Sequence, residues 1–73
     1  METLQILGER LKELRKARGL RQRDIAEEVL HVTEVHYRRI EAGKINIPTL
    51  TLCALADYFE VTTEYLLGRS EER

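Results

Sequence analysis

The 73-residue chain is poor in the residues that build disulfide-bonded, membrane-spanning or aromatic-rich proteins. It has one cysteine, one proline and no tryptophan, and aromatic residues make up only 5% of it. One cysteine excludes an intramolecular disulfide, which favours a reducing compartment. No apolar run approaches the roughly 20 residues of a membrane-spanning helix, and no signal peptide opens the chain. These absences predict a soluble cytoplasmic protein without membrane contact, formed by a single domain over residues 1–73.

The residues that usually carry catalysis or bind metals are few and scattered. Cys53, His31 and His36 share no ligand spacing, so we predict no metal, no cofactor and no small-molecule ligand. No nucleophile beside a base, no carboxylate pair and no glycine-rich phosphate loop is visible. The sequence therefore predicts that the chain is not an enzyme, and Cys53 is interpreted as a small buried apolar residue.

Charge is distributed unevenly along the chain, although the net charge is only −1. Between residues 15 and 44, eight basic and five acidic residues give a local charge of +3. Between residues 49 and 73, two basic and five acidic residues give −3. A basic surface of this kind can lie against phosphates while the acidic end points away from them.

Five segments carry apolar residues at spacings of three and four, which is typical of helices with one buried face. The first is predicted over about residues 3 to 18, and the second begins near Gln22. Three more are predicted to begin after Thr33, Thr49 and Thr62, because threonine is a favourable N-cap. Left-handed glycines are predicted to end three helices, at Gly19, Gly43 and Gly68. The chain is thus predicted to be all-α, with a core over residues 4–68 and a polar, frayed tail over residues 69–73.

Several short motifs occur in a fixed order along these helices. They are Leu14-Arg15-Lys16-Ala17-Arg18-Gly19-Leu20, Gln22, Ile25-Ala26, Val32-Thr33, Arg39-Ile40-Glu41-Ala42-Gly43-Lys44, Pro48-Thr49-Leu50 and Tyr65-Leu66-Leu67-Gly68. In this order and spacing they resemble the lambda-repressor/Cro-type helix-turn-helix family, which includes the xenobiotic-response-element-like regulators. The resemblance covers roughly residues 7 to 68. It implies a compact five-helix fold with the helix-turn-helix at helices 2 and 3.

The resemblance also implies which residues contact double-stranded DNA, with the third helix in the major groove. Base contacts are expected from the first turn of that helix, at Glu34, Val35 and His36. Phosphate contacts are expected from residues around the second and third helices, at Arg21, Gln22, Arg23, Thr33, Arg38, Arg39 and Lys44. A structural ion pair between Arg15 and Glu41 is implied as well.

Other interpretations of these residues stay open. Arg38 and Arg39 fit a solvated helix face about as well as a phosphate contact. Glu34 fits a first-turn acid favoured by the helix dipole as well as an acceptor for a cytosine amino group. His36 fits a surface histidine less well than a base contact, and His31 is interpreted as a turn residue.

Two positions depart from the family pattern. Arg21 stands where the family usually has threonine or serine, so a helix cap is exchanged for a charge. The distance from Ala26 to Glu41 is one residue longer than in the family, which places an extra residue between positions 27 and 31, most simply Val29 or Leu30. We predict that it is absorbed at the end of the second helix or in the turn, because Val32, Tyr37 and Ile40 then keep a common face.

Taken together, these features imply a DNA-binding transcriptional regulator of bacterial or phage origin, located in the cytoplasm or nucleoid. It is expected to be a repressor that binds a palindromic operator as a homodimer, because one helix contacts too few base pairs for specificity. The C-terminal helices are expected to form the dimer through Tyr58, Phe59, Tyr65 and Leu67, which also fit the core. The alternative is an antitoxin-like or other protein-interaction module with the same helical fold.

Overall fold

The computed structural model describes residues 2–73, and within that range it contains helices and no strand. The helices are α1 (Glu2–Ala17), α2 (Gln22–Asp24), a π-helical segment (Ile25–Leu30), α3 (Glu34–Glu41), α4 (Thr49–Phe59) and α5 (Thr63–Leu66). α2 passes without a break into the π segment, and together they form the second helix. The predicted all-α, five-helix fold is therefore confirmed. None of the helices in residues 2–73 combines the length and apolarity needed to cross a bilayer.

Local sequence signals explain most of the helix ends. The Thr33 hydroxyl accepts a hydrogen bond from the His36 backbone N–H at 3.1 Å, and the Thr62 hydroxyl accepts one from the Tyr65 backbone N–H at 3.0 Å. These are the N-cap bonds that threonine was expected to make. The predicted left-handed glycines follow the ends of α1, α3 and α5, with φ of 68° at Gly19, 72° at Gly43 and 78° at Gly68.

The core forms where the apolar faces of all five helices meet. Its buried apolar residues are Leu7, Leu11, Leu14, Ile25, Ala26, Tyr37, Ile40, Leu55, Ala56, Phe59, Tyr65 and Leu66. Gly8 allows α1 to cross close to the end of α3, because a Cβ at this position would overlap the Glu41 carbonyl. α1 therefore packs against the inner side of α3, and the opposite side of α3 remains exposed.

The second helix accommodates one more residue than an α-helix would. At the C-terminal end of each of the other four helices, the last hydrogen bond runs from a backbone N–H to the carbonyl five residues earlier. Examples are the bonds from Leu20 to Arg15 and from Lys44 to Arg39. In the second helix the corresponding bond reaches back six residues, from the Val32 N–H to the Ala26 carbonyl, at 2.9 Å. Its last turns are π-helical, which is the geometry that inserts a residue into a helix without rotating the residues after it. Tyr37 and Ile40 are buried and Val32 packs against the core, so α3 keeps its predicted inward face.

Three sequence-based expectations are wrong. Pro48, rather than Thr49, is the N-cap of α4, since Thr49 already has helical geometry. Cys53 is exposed rather than buried, because it follows Leu52 on α4 and so projects about 100° away from the core-facing side. The tail is not frayed, because the Arg73 carbonyl accepts from the Thr62 N–H at 3.0 Å and the Ser70 carbonyl accepts from Arg10 Nη1 at 2.8 Å.

Candidate nucleic-acid interface

The exposed side of α3 is the centre of the candidate interface. Tyr37, Ile40 and Glu41 are buried and define the inner side of the helix. At about 100° per residue, the opposite side is centred on Val35 and Arg39, which lie four residues apart. Val35 is 60% exposed, and Arg39 is exposed beside it. An apolar and a cationic group thus lie together on a convex helical surface.

The other residues expected to contact bases surround this pair. His36 is exposed, whereas Glu34 is half-buried and accepts a hydrogen bond from Arg38 Nη2 at 3.4 Å. This contact joins residues one turn apart, so Arg38 and Glu34 partly neutralise each other on the surface. Thr33 accepts the cap bond with its oxygen, so its hydroxyl hydrogen stays available to donate.

The start of the second helix contributes a second group of charges beside α3. Asp24 Oδ2 accepts a hydrogen bond from the Arg21 backbone N–H at 2.7 Å, and Asp24 Oδ1 accepts one from Arg21 Nη2 at 2.8 Å. Both bonds hold the pKa of Asp24 below its ordinary value, and the bond from the Arg21 guanidinium has the larger effect. The carboxylate therefore caps the helix that Arg21 itself cannot cap. It also offsets the charge of Arg21 at the surface.

Three cations in or next to α2 and α3 have no ion-pair partner within the described residues. Among residues 2–73, no carboxylate lies within ion-pair distance of Arg23, Arg39 or Lys44, and all three side chains are exposed. Their charges are therefore available to an external anion. Arg21 and Arg38 could bind such an anion only by loosening their ion pairs with Asp24 and Glu34.

A buried ion pair lies directly behind this surface. Arg15 Nε and Nη2 donate to Glu41 Oε2 and Oε1 at 2.7 and 3.1 Å, and the two side chains are only 10% and 3% exposed. The hydrogen bonds from Arg15 to Glu41 hold the pKa of Arg15 above its ordinary value, against the opposing effect of burial. The pair connects α1 to the end of α3, so it fixes the helix that carries the exposed Val35 and Arg39.

Comparison with known proteins agrees with this geometry. A family model described as helix-turn-helix matches residues 11–66, which include every residue of the surface just described. The chain belongs to this family.

Most of this helix-turn-helix chain is similar to part of a bacterial transcriptional regulator. The chain is 37% identical over 65 residues to the HTH-type transcriptional regulator ImmR of Bacillus subtilis (strain 168). The aligned region covers 89% of this chain and 50% of that relative, so the chain spans half the relative's length. No solved structure matches the chain.

Membership of the helix-turn-helix family supports a DNA-binding role in the regulation of transcription. The family is not enzymatic, so the prediction that the chain is not an enzyme is confirmed.

Two features of this helix-turn-helix surface were missed in the sequence. Arg39 was predicted as a phosphate contact, but its place at the centre of the exposed side of α3 was not foreseen, and its spacing of four from Val35 was the signal that could have shown it. Gln22 Nε2 donates to Glu41 Oε1 at 3.1 Å, a contact between residues 19 positions apart. No local pattern could have shown that second contact, because it depends on how the second helix packs against α3.

Proposed function

We propose that this chain is a sequence-specific DNA-binding transcriptional regulator whose α3 enters the major groove. The observation that carries the proposal is the exposed side of α3, where Val35 and an unpaired Arg39 project from a helix anchored by a buried ion pair. The major groove is wide enough to admit an α-helix. A rigid helix of this kind keeps its side chains in register with successive bases.

The chemistry of α3 suits particular bases. The methyl groups of Val35 suit the C5-methyl of thymine, and the guanidinium of Arg39 suits the O6 and N7 acceptors of guanine. We accordingly propose Arg39 as a base-contacting residue in addition to Glu34, Val35 and His36. His36 can donate or accept at a neighbouring base, and Glu34 can accept from a cytosine amino group when Arg38 turns toward a phosphate.

The cations around α3 suit the DNA backbone. Arg23 and Lys44 are exposed and unpaired among residues 2–73, and they lie at the start of α2 and just past the end of α3. We propose that they bind phosphates together with Arg21, Gln22, Thr33 and Arg38. Each phosphate contact adds about one unit to the slope of log affinity against log salt, so binding is expected to weaken steeply with salt.

Two copies of the chain fit a palindromic operator. Half-sites one helical turn apart place two recognition helices roughly 34–36 Å from each other. The protomer measures 28 × 24 × 20 Å along its principal axes, so two copies side by side are long enough together to cover that separation. Of the four residues expected at the dimer, Phe59 and Tyr65 are buried within the protomer, which leaves half-buried Tyr58 and Leu67 as the ones we propose for the contact between copies. We propose repression as the activity, since it needs only that the bound dimer covers its operator.

Selection of bound sequences from a random DNA pool at fixed salt tests the proposal. The wild type should enrich a symmetric motif, and Arg39→Ala should change the preferred base at one position of each half-site. Arg69→Ala is the matched control, because it removes an exposed cation from the acidic C-terminal part of the chain. Its motif should equal that of the wild type. Absence of any enriched motif would refute DNA recognition and favour a protein-interaction module.

A further inference from the structure

The start of the second helix is fastened to the core through one carboxylate. Glu41 Oε2 accepts a hydrogen bond from Arg15 Nε at 2.7 Å, and Glu41 Oε1 accepts from Arg15 Nη2 and from Gln22 Nε2, both at 3.1 Å. Arg15 Nη1 also donates to the Leu20 carbonyl at 2.9 Å, which fixes the turn before α2. A single buried group therefore joins α1, the end of α3 and the first residue of α2.

The chemistry of Glu41 determines how the Gln22 amide is oriented. An ionised carboxylate accepts hydrogen bonds and donates none, so the nitrogen of Gln22 must face Glu41 and its oxygen must face away. One N–H of that nitrogen is used by Glu41, and the second remains available. Gln22 is half-buried, so part of the residue remains accessible to solvent.

Glu41 itself is in no position to bind DNA. Its side chain is only 3% exposed, and its negative charge would be repelled by a phosphate. We propose that Glu41, held by Arg15, is a positioning residue that fixes the Gln22 amide for donation to a DNA phosphate. The proposal rests on the proposed DNA-binding function. Its physical basis is preorganisation, because the ordered glutamine gives up its rotamer freedom on folding rather than on binding.

The order of the Gln22 side chain can be measured by NMR without any DNA. The ¹⁵N order parameter of the Gln22 side-chain amide should be clearly higher than that of Gln5, an exposed glutamine of α1 that serves as an internal control. In the double variant Arg15→Met/Glu41→Leu, the value for Gln22 should fall to that of Gln5. Equal mobility of the two glutamines in the wild type would overturn the proposal.

DNA affinity provides the second measurement, with Gln22→Ala introduced into both backgrounds. In the wild type it should weaken binding about tenfold, as expected for loss of a hydrogen bond to a charged group. In the Arg15→Met/Glu41→Leu background the same change should weaken binding less than about twofold, because the amide is no longer held there. An equal loss in both backgrounds would overturn the positioning role.

The controls separate this proposal from the function on which it rests. Replacing a buried ion pair by apolar residues of similar size is often neutral for stability, so the double variant is expected to fold, and its thermal melt checks this. A wild type that binds no DNA would refute the proposed function, whereas the NMR comparison would still decide whether Glu41 orders Gln22. If the double variant does not fold, the wild-type comparison of Gln22 with Gln5 decides alone.

Discussion

Deletion of Val29 should leave a folded protein, because the π segment already contains one residue more than an α-helical turn requires. The last hydrogen bond of the second helix runs from the Val32 N–H to the Ala26 carbonyl, six residues earlier. Without Val29 the same two groups are only five residues apart. That is the span with which α1, α3, α4 and α5 close. Leu30 then takes the position four residues after Ile25, on the core-facing side of an ordinary α-helix.

The energetic cost of this deletion is small in relation to the stability of the domain. Val29 is half-buried, so its loss removes about 1 kcal/mol of apolar burial, roughly half that of a fully buried valine. A domain of this size loses about 4–8 °C in melting temperature per kcal/mol, and we expect a decrease of less than about 10 °C. The return to α-helical hydrogen bonds offsets part of that decrease.

Deletion of Glu9 is the matched control, because this residue is exposed and no buried side chain is lost with it. α1 is regular, so the deletion rotates one half of the helix by about 100° relative to the other. Either Leu7 leaves the core and the Gly8 position acquires a Cβ against Glu41, or Leu11 and Leu14 are displaced. Each displaced leucine costs about 2–5 kcal/mol, against a total stability of about 4–11 kcal/mol for a chain of this length.

Thermal melts of both deletion variants, followed by circular dichroism, test this prediction. DNA binding is measured for the Val29 deletion as well. We expect cooperative melting for the Val29 deletion and none for the Glu9 deletion. The Val29 deletion should also bind the wild-type operator with altered affinity, because the offset between the second helix and α3 changes. An unfolded Val29 deletion would show that Val29 and Leu30 are both indispensable to the core and would refute the argument.

Three further predictions concern side chains behind or beside the interface. Glu41→Ala should destabilise the fold by about 3–5 kcal/mol, because it leaves Arg15 buried without its partner; chemical denaturation would measure this, and an effect below about 1 kcal/mol would contradict it. Tyr37→Phe should raise the melting temperature, since the buried Tyr37 hydroxyl makes no hydrogen bond of good geometry among residues 2–73, and a lower melting temperature would show that it bonds to the neighbouring Glu41 carboxylate. Asp24→Asn should destabilise the fold at neutral pH. Because the pKa of Asp24 is lowered by folding, its contribution is present above the ordinary value of 3.8 and is lost as the pH falls below it. The melting temperatures of wild type and Asp24→Asn should therefore converge in acid, and a constant difference would contradict the assignment.

The dimer is tested separately from these variants. Half-buried Tyr58 and Leu67 are the residues proposed for the interface between copies, so Leu67→Glu should shift the protein toward monomer in sedimentation experiments. It should also abolish the symmetric motif in selection from a DNA pool. A dimer that persists in this variant would place the interface elsewhere on the protomer.

Local sequence signals were sufficient to predict the helices and the inner faces of α1, α3, α4 and α5. These features depend on residues within three to five positions of each other, such as the caps at Thr33 and Thr62 and the left-handed Gly43. The same signals identified the buried side of α3, and so the exposed first turn with Val35 and His36. Such patterns are legible because helix geometry fixes which neighbours share a face.

Features that depend on distant partners could be seen only in the folded protein. The tail is ordered because Arg10, 60 residues earlier, donates to the Ser70 carbonyl. Gln22 is held by a carboxylate on another helix. Neither contact leaves a local sequence pattern, because each partner lies on a different element of the chain.

The π segment also depends on tertiary packing, because its residues suit an α-helix equally well by propensity. Val29 and Leu30 both pack against the core, and an α-helical turn would rotate every position after the inserted residue away from it. The π geometry keeps both side chains in contact with the core and returns Val32 to the face it shares with Tyr37. Only the packed neighbours can impose that choice, since they determine which side chains are buried.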